Sequence, residues 1–233
     1  MEYIVISIIL VIIAVIIKFA LNIKIKYIKR LKDLAFDKEK NAILNKLPEN
    51  EEIAREVLNN LKNNHTKVKK SDNPKDTTSV YVVLTDSIII ANIKNTFTRV
   101  QTIAHECIHS VQDKAVLWFN FIYTNLYNLF FIILIILKLF NVINGMIWLV
   151  TLVFSGLIYY IVRAYLESEA MVKAKYVAKE YMEKSKLITD KEIEVIITGY
   201  DDINAIGIKM YLYRLFLEVL VRTFIFSIIC CIF

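Results

Sequence analysis

Long runs of apolar residues most limit what this chain can fold into. Residues 3–21 form an almost uninterrupted hydrophobic segment, and a helix of that length, with a rise of about 1.5 Å per residue, covers about 30 Å of hydrocarbon. A cleaved signal peptide is the alternative interpretation, but the positive charges follow the run and no small-residue cleavage site is present. The sequence therefore predicts a retained transmembrane anchor over residues 1–22.

A second apolar region, residues 116–161, is too long for a single membrane span. Turn-forming residues at 141–145 divide it, so we expect a transmembrane helical hairpin over residues 117–162. The C-terminal apolar helix, 208–233, has two interpretations, because Arg214, Glu218 and Arg222 recur every four residues along it. That stripe fits an interfacial or bundle-facing helix better than a helix surrounded by lipid, and the choice stays open.

The composition is typical of a membrane protein, since 57% of the residues are hydrophobic and the mean hydropathy is +0.49. We expect a mainly α, multi-pass membrane protein with a small strand element beside the hairpin. Lys and Arg residues that flank the spans, next to anionic lipid, account for the net charge of +6, so the expected partner is the bilayer and not a nucleic acid. By the positive-inside rule the polar regions face the cytoplasm, and three cysteines without a pairing pattern agree with that side.

The polar stretch between the anchor and the hairpin is predicted to begin with a basic juxtamembrane segment, 23–49, that is helical over about 24–44. The elements predicted after it are a helix over 50–63, a loop over 71–78, a strand over 79–84 and a helix over 99–114. Thr98 and Gln101 have the spacing of a capping box at the start of the last helix. The strand is expected to border a cleft and to pair with an extended peptide.

The last of these helices carries the pattern H-E-x-x-H as His105, Glu106 and His109. Residues four apart share one face of a helix, so both imidazoles can reach a single zinc ion at a distance of about 2.0–2.1 Å. Glu106 projects beside that face, where it can take a proton from a metal-activated water. The pattern also occurs by chance, and its alternative interpretation is a helix whose histidines only form hydrogen bonds.

Catalytic zinc needs a third protein ligand, and the residues just after the hairpin are the best source. An antiparallel hairpin returns its exit next to its entry, which brings Glu167 or Glu169 to the face that carries the histidines. Only one of the two can face the metal, and we choose Glu167, because the small residues Ala170 and Ala174 lie on its side of the helix. The remaining histidine, His65, lies in a polar loop and is expected to be solvated.

These residues resemble the membrane-bound neutral zinc metallopeptidases of bacteria (YugP type), and more distantly the HtpX-type membrane zinc proteases. Members of the first family show H-E-x-G-H-A-x-Q and a later E-x-x-A-S-x-x-A, which correspond to residues 105–112 and 167–174. The chain departs from the family at Ile108, Ser110 and Met171, where members have Gly, Ala and Ser. The resemblance covers about residues 50–233 and implies a zinc metallopeptidase domain there, in a bacterial cell membrane.

The sequence thus leads to the hypothesis of a zinc-dependent membrane-bound endopeptidase that acts on a peptide or membrane-protein substrate. In it, His105, His109 and Glu167 hold Zn²⁺ and Glu106 is the catalytic base. Tyr200 and Arg163 are both candidates to stabilise the oxyanion beside zinc, and the spacing does not choose between them. The alternative function is a catalytically inactive zinc-binding membrane scaffold or accessory protein, in which Glu106 would have no role.

Overall fold

The computed structural model of the chain describes residues 2–24, 26–73 and 75–233. Within these residues the protein is mainly helical and contains one three-stranded sheet. The helices are α1 (Glu2–Ala20), α2 (Lys26–Ala35), α3 (Lys38–Leu44), α4 (Asn50–Asn60), α5 (Arg99–Val111), α6 (Lys114–Leu139), α7 (Gly145–Ser185) and α8 (Asp190–Ile232). The strands are β1 (Lys67–Lys70), β2 (Val80–Val82) and β3 (Ser87–Ile90).

The chain divides into two compact units. The apolar unit comprises Met1–Ile23, Ala115–Tyr165 and Lys209–Phe233. The polar unit comprises Lys24–Lys114 and Leu166–Ile208. Helices α7 and α8 each contribute residues to both units.

The apolar unit is built from α1, from α6, and from the parts of α7 and α8 that belong to it. Four helices of the described chain, α1, α6, α7 and α8, are long and apolar enough to cross a membrane. The core of the apolar unit contains Tyr127, Leu134, Leu149, Leu152, Tyr159, Val219, Phe226 and Cys230. This arrangement is compatible with a membrane location, and α8, which includes the ambiguous residues 208–233, is among these four helices.

The predicted hairpin is present as α6 and α7, joined by residues 140–144. Helix α7 has 41 residues and continues to Ser185, well past residue 162, where the predicted hairpin ended. In that continuation Ala170, Ala174 and Ala178 repeat every four residues and are almost completely buried. Alanine favours helix and lets neighbouring elements approach closely, so the helix does not break where its apolar sequence ends.

The sheet of the polar unit has the strand order β1-β3-β2, with β1 parallel and β2 antiparallel to β3. The strand predicted over 79–84 is shorter, because Val83–Thr85 forms a 3₁₀ turn and Asp86 takes a left-handed φ of 42° that leads into β3. Strands β1 and β3 were not predicted. The short β2 lies at one edge of the sheet, and helices α4 and α5 pack against the strands.

Three details of the polar unit differ from the sequence prediction. The single basic helix is two helices, α2 and α3, because the Asp37 side chain accepts a hydrogen bond from the Lys40 N–H at 3.0 Å and starts a new helix. The prediction of a capping box at Thr98 is wrong, since Thr98 has a helical backbone and its side chain makes no capping hydrogen bond. Helix α5 ends at Val111, because Gln112 has an extended backbone with ψ of 165°.

Candidate metal centre

The two histidines of the H-E-x-x-H pattern lie outside the apolar packing face of α5. That face is formed by Val100, Ile103, Ala104, Cys107 and Ile108, each at most 3% exposed. The Nε2 atoms of His105 and His109 are 3.0 Å apart. The two rings meet edge to face, with their centroids 4.6 Å apart. Anchored by its apolar face, α5 therefore directs the same nitrogen of both rings to one point. Ile108, where the resembled family has glycine, belongs to the packing face.

Helix α7 brings Glu167 to the same point. Its Oε2 atom lies 3.3 Å from His105 Nε2 and 3.7 Å from His109 Nε2. Glu167 is 8% exposed, and the small residues Ala170 and Ala174 follow it on the buried side of α7. The structure thus brings together the three residues that the sequence prediction selected as ligands.

The geometry of this group fits a small divalent cation. Three ligand atoms held tetrahedrally at about 2.0–2.1 Å from one ion lie about 3.3 Å from one another. The three observed separations, 3.0, 3.3 and 3.7 Å, bracket that value. His105, His109 and Glu167 could therefore hold a metal ion.

The electrostatics of the pocket also favour a cation. Burial alone would lower the pKa of His109, but the hydrogen bond to Glu167 and the charges of Glu167 and Glu106 outweigh it, so the pKa lies above its ordinary value. The pocket therefore stabilises positive charge where the three ligand atoms converge.

Glu106 lies beside this group, with its carboxylate held by the sheet. Its Oε2 atom accepts a hydrogen bond from the backbone N–H of Tyr81 in β2 at 2.7 Å. Burial raises the pKa of the Glu106 carboxyl, and the neighbouring histidines and the Tyr81 N–H offset only part of that effect. A carboxylate with a raised pKa and a fixed orientation suits the transfer of protons.

Tyr81 is itself fixed in place by its side chain. Its hydroxyl donates to Asp86 Oδ1 at 2.8 Å and accepts from Lys114 Nζ at 2.8 Å. Thr66 Oγ1 also donates to Asp86 Oδ1, at 2.9 Å. Because the strand is held at this residue, the N–H that reaches Glu106 has a defined position.

Glu169, the alternative third ligand, has a different role in the structure. Its Oε2 accepts from Gln112 Nε2 at 2.8 Å, and its Oε1 accepts from Lys173 Nζ at 2.5 Å. The ion pair with Lys173 and the Gln112 hydrogen bond hold the pKa of Glu169 below its ordinary value. Gln112 in turn contacts His109, so Glu169 is linked to this candidate ligand through the Gln112 side chain.

Two other residues considered from sequence, His65 and Tyr200, do not join the group. His65 is exposed, as expected, and its backbone N–H bonds the side chain of Asn63. Tyr200 is completely buried, stacks on Phe97 and donates its hydroxyl to the Phe97 carbonyl at 3.1 Å, so it is committed to the core. Arg163 belongs to the apolar unit.

Sequence reasoning missed two contributors to the site. One is the backbone N–H of Tyr81, which no side-chain pattern could reveal. The other is Gln112, which carried a signal because it follows His109 by three residues, on the polar stripe of the helix predicted over 99–114.

No protein-family model, no curated protein and no solved structure matches this chain. The interpretation of its function therefore depends on the residues and geometry described above.

Proposed function

We propose that this protein is a zinc-dependent, membrane-bound endopeptidase. The observation that carries the proposal is the convergence of His105, His109 and Glu167 at metal-ligand separations, with the buried carboxylate of Glu106 beside them. Two imidazoles and one carboxylate are a donor set that zinc enzymes use, with one position left for water. The resemblance of both motifs to the bacterial zinc metallopeptidases (YugP type) points the same way.

In this proposal His105, His109 and Glu167 would hold zinc, which would supply a bound water with a pKa of about 7 and a Lewis acid for the scissile carbonyl. Glu106 takes a proton from the attacking water and passes it to the leaving amine. The Tyr81 N–H keeps one oxygen of Glu106 in place at 2.7 Å, which leaves the other oxygen for proton transfer. A structural metal site has no need for such a base, which favours an enzyme over an inactive scaffold.

The sheet offers a place for an extended substrate. Strand β2 pairs with β3 on one side only, and Tyr81 directs its N–H away from β3, toward α5. An extended peptide placed along this edge would lie next to Glu106, which accepts the outward-facing Tyr81 N–H. We therefore propose that Val80–Val82 aligns the substrate, a shorter segment than the sequence predicted.

The proposed location is a cell membrane, with the polar unit on the cytoplasmic side. The support is the presence of four helices apolar enough to span and the Lys and Arg residues of α2, which follows the first of them. Substrates would then be peptides or membrane-protein segments near the membrane surface.

The deciding experiment compares the detergent-solubilised full chain with Glu106→Gln. We expect both proteins to bind one zinc by elemental analysis, and we expect Glu106→Gln to cleave a casein-like substrate about 10²–10⁴-fold more slowly. Equal cleavage by both proteins would exclude Glu106 as the base.

A second pair of variants tests the third ligand. Glu167→Ala should lose more zinc affinity than the roughly 10–100-fold that changing a supporting residue costs. The matched control is Glu180→Ala, also on α7, whose carboxylate is exposed and pairs with Lys184 at 2.6 Å. Undiminished zinc in Glu167→Ala would remove this ligand, and stoichiometric zinc without any cleavage in the wild type would favour the scaffold.

A further inference from the structure

Gln112 occupies a special place at the end of α5. It is the first residue after the helix, it is 6% exposed, and its extended backbone turns its side chain toward α7. Three hydrogen bonds hold that side chain. Its Oε1 lies 2.7 Å from His109 Nδ1, and its Nε2 donates to the Leu166 carbonyl and to Glu169 Oε2, both at 2.8 Å.

The partners determine which way the Gln112 amide faces. A peptide carbonyl and a carboxylate only accept hydrogen bonds, so the NH₂ group must face Leu166 and Glu169. The amide oxygen then faces His109 and can only accept. In the neutral ring, His109 therefore carries its proton on Nδ1, and its Nε2 keeps the lone pair that a metal requires.

The same side chain also reaches the helix that carries the third ligand. Leu166 immediately precedes Glu167, so the bond to its carbonyl ties the end of α5 to α7 beside the Glu167 carboxylate. Lys173, by pairing with the other oxygen of Glu169 at 2.5 Å, keeps that carboxylate oriented toward Gln112. One buried amide thus contacts a ligand on α5 and the backbone next to a ligand on α7.

We propose that Gln112 is a positioning residue of the metal centre, which fixes the Nδ1–H tautomer of His109 and the separation of His109 from Glu167, with Glu169 orienting Gln112. This rests on the metal centre of the proposed function. In this pocket an amide takes the place of the carboxylate or backbone carbonyl that usually orients a metal-binding histidine.

The first test measures zinc affinity by competition with a chromophoric chelator, using the detergent-solubilised full chain. We expect Gln112→Leu to bind zinc about 10–100-fold more weakly, because the Nδ1–H of His109 loses its acceptor. The matched control is Gln101→Leu, which removes another buried glutamine of α5, one that bonds Asn204 at 2.6 Å. Gln101→Leu should keep wild-type affinity. Unchanged affinity in Gln112→Leu, or an equal loss in Gln101→Leu, would overturn the proposal.

A rescue experiment separates positioning from general packing. Gln112→Glu alone should weaken zinc binding, because it places a second carboxylate 2.8 Å from Glu169 Oε2. The double variant Gln112→Glu with Glu169→Gln restores a donor–acceptor pair between the two side chains and still gives His109 an acceptor. It leaves a carboxylate facing the Leu166 carbonyl, so only part of the lost zinc affinity should return. A double variant as weak as Gln112→Glu would contradict the assigned role of Glu169.

The tautomer can be read without any metal. In ¹⁵N-histidine-labelled protein, at a pH where the ring is neutral, His109 should show a protonated Nδ1 in the wild type and in Gln101→Leu. In Gln112→Leu the Nε2–H form should appear. A protonated Nε2 in the wild type would overturn the inference even if zinc binds. If no variant binds zinc at all, the proposed function fails, while this measurement still decides whether Gln112 sets the tautomer.

Discussion

The two units of the molecule differ in where their large hydrophobic side chains lie. In the polar unit, Ile53, Ile88 and Ile103 are completely buried. In the apolar unit, large hydrophobic side chains point outward, as with Phe19 at 78% and Phe154 at 64% exposure. The difference is compatible with lipid around the apolar unit, as the proposed membrane location requires.

The interior of the apolar unit combines its hydrophobic core with polar contacts between helices. Ser7 and Ser227 approach each other at 2.8 Å between α1 and α8, and the Tyr159 hydroxyl donates to Glu218 at 3.1 Å. The Arg222 guanidinium lies over the Tyr127 ring, 5.0 Å from its centroid. Where lipid removes the hydrophobic driving force between helices, polar contacts and close packing hold them together. The comparison thus supports the proposed membrane location without any appeal to the metal site.

The most direct way to break this comparison is to place a carboxylate on the outer face of each unit. Phe154→Asp and Val172→Asp both change exposed residues of α7, at 64% and 51% exposure, one in each unit. In lipid the first should cost about 3 kcal/mol, whereas the second, in water, should stay within about 0.5 kcal/mol. Thermal unfolding in lipid nanodiscs measures both. Equal costs would mean that the two outer faces meet the same solvent.

A smaller effect should distinguish close helix packing in the apolar unit from open helix in the polar unit. A Cβ at Gly156 would meet Val219 and would lie 2.6 Å from the Tyr127 hydroxyl, whereas at Gly207 its nearest neighbour would be Ile203 at 3.9 Å. We expect Gly156→Ala to destabilise the protein by about 1–3 kcal/mol, and Gly207→Ala to stabilise it by up to about 1 kcal/mol. The same unfolding assay gives both values. Two changes of the same sign would contradict the packing described for Gly156.

The sequence was most informative where the controlling interactions are local or follow from chain direction. Membrane-length runs depend only on composition, and the shared face of His105 and His109 depends only on helical spacing. Glu167 could be chosen over Glu169 because the hairpin returns the chain to its starting face and Ala170 and Ala174 mark the packed side of α7. Each of these inferences needs no knowledge of distant residues.

Prediction failed where partners lie far apart in sequence. Strand β1 has the sequence Lys-Val-Lys-Lys, and it becomes a strand only by pairing with β3, twenty residues later. The Tyr81 N–H and the hydrogen bonds of Gln112 to α7 have the same origin. Backbone donors and buried amides take their roles from the folded neighbours, and a pattern of side chains does not encode these neighbours.

Helix caps show how a local pattern can also mislead, and they give the smallest predicted effect. The pattern at Thr98 makes no cap bond, whereas Thr189 and Glu192 form a reciprocal capping box at the start of α8. Thr189→Ala should therefore destabilise the protein by about 1 kcal/mol, and Thr98→Ala should have almost no effect, in chemical or thermal unfolding.

The acid dependence of this cap supplies an independent check. The hydrogen bond from Lys46 and the Thr189 N–H lower the pKa of Glu192 to about 2, from an ordinary value of 4.5. Because the folded-state pKa is depressed, the stabilisation by the carboxylate is complete above the ordinary pKa and is lost as the pH falls through about 2. The wild type should be more stable than Glu192→Gln near neutral pH, and the difference should shrink as the solution is acidified toward that value. A difference that does not change with pH would mean that Glu192 stabilises the helix start through packing and not through its charge.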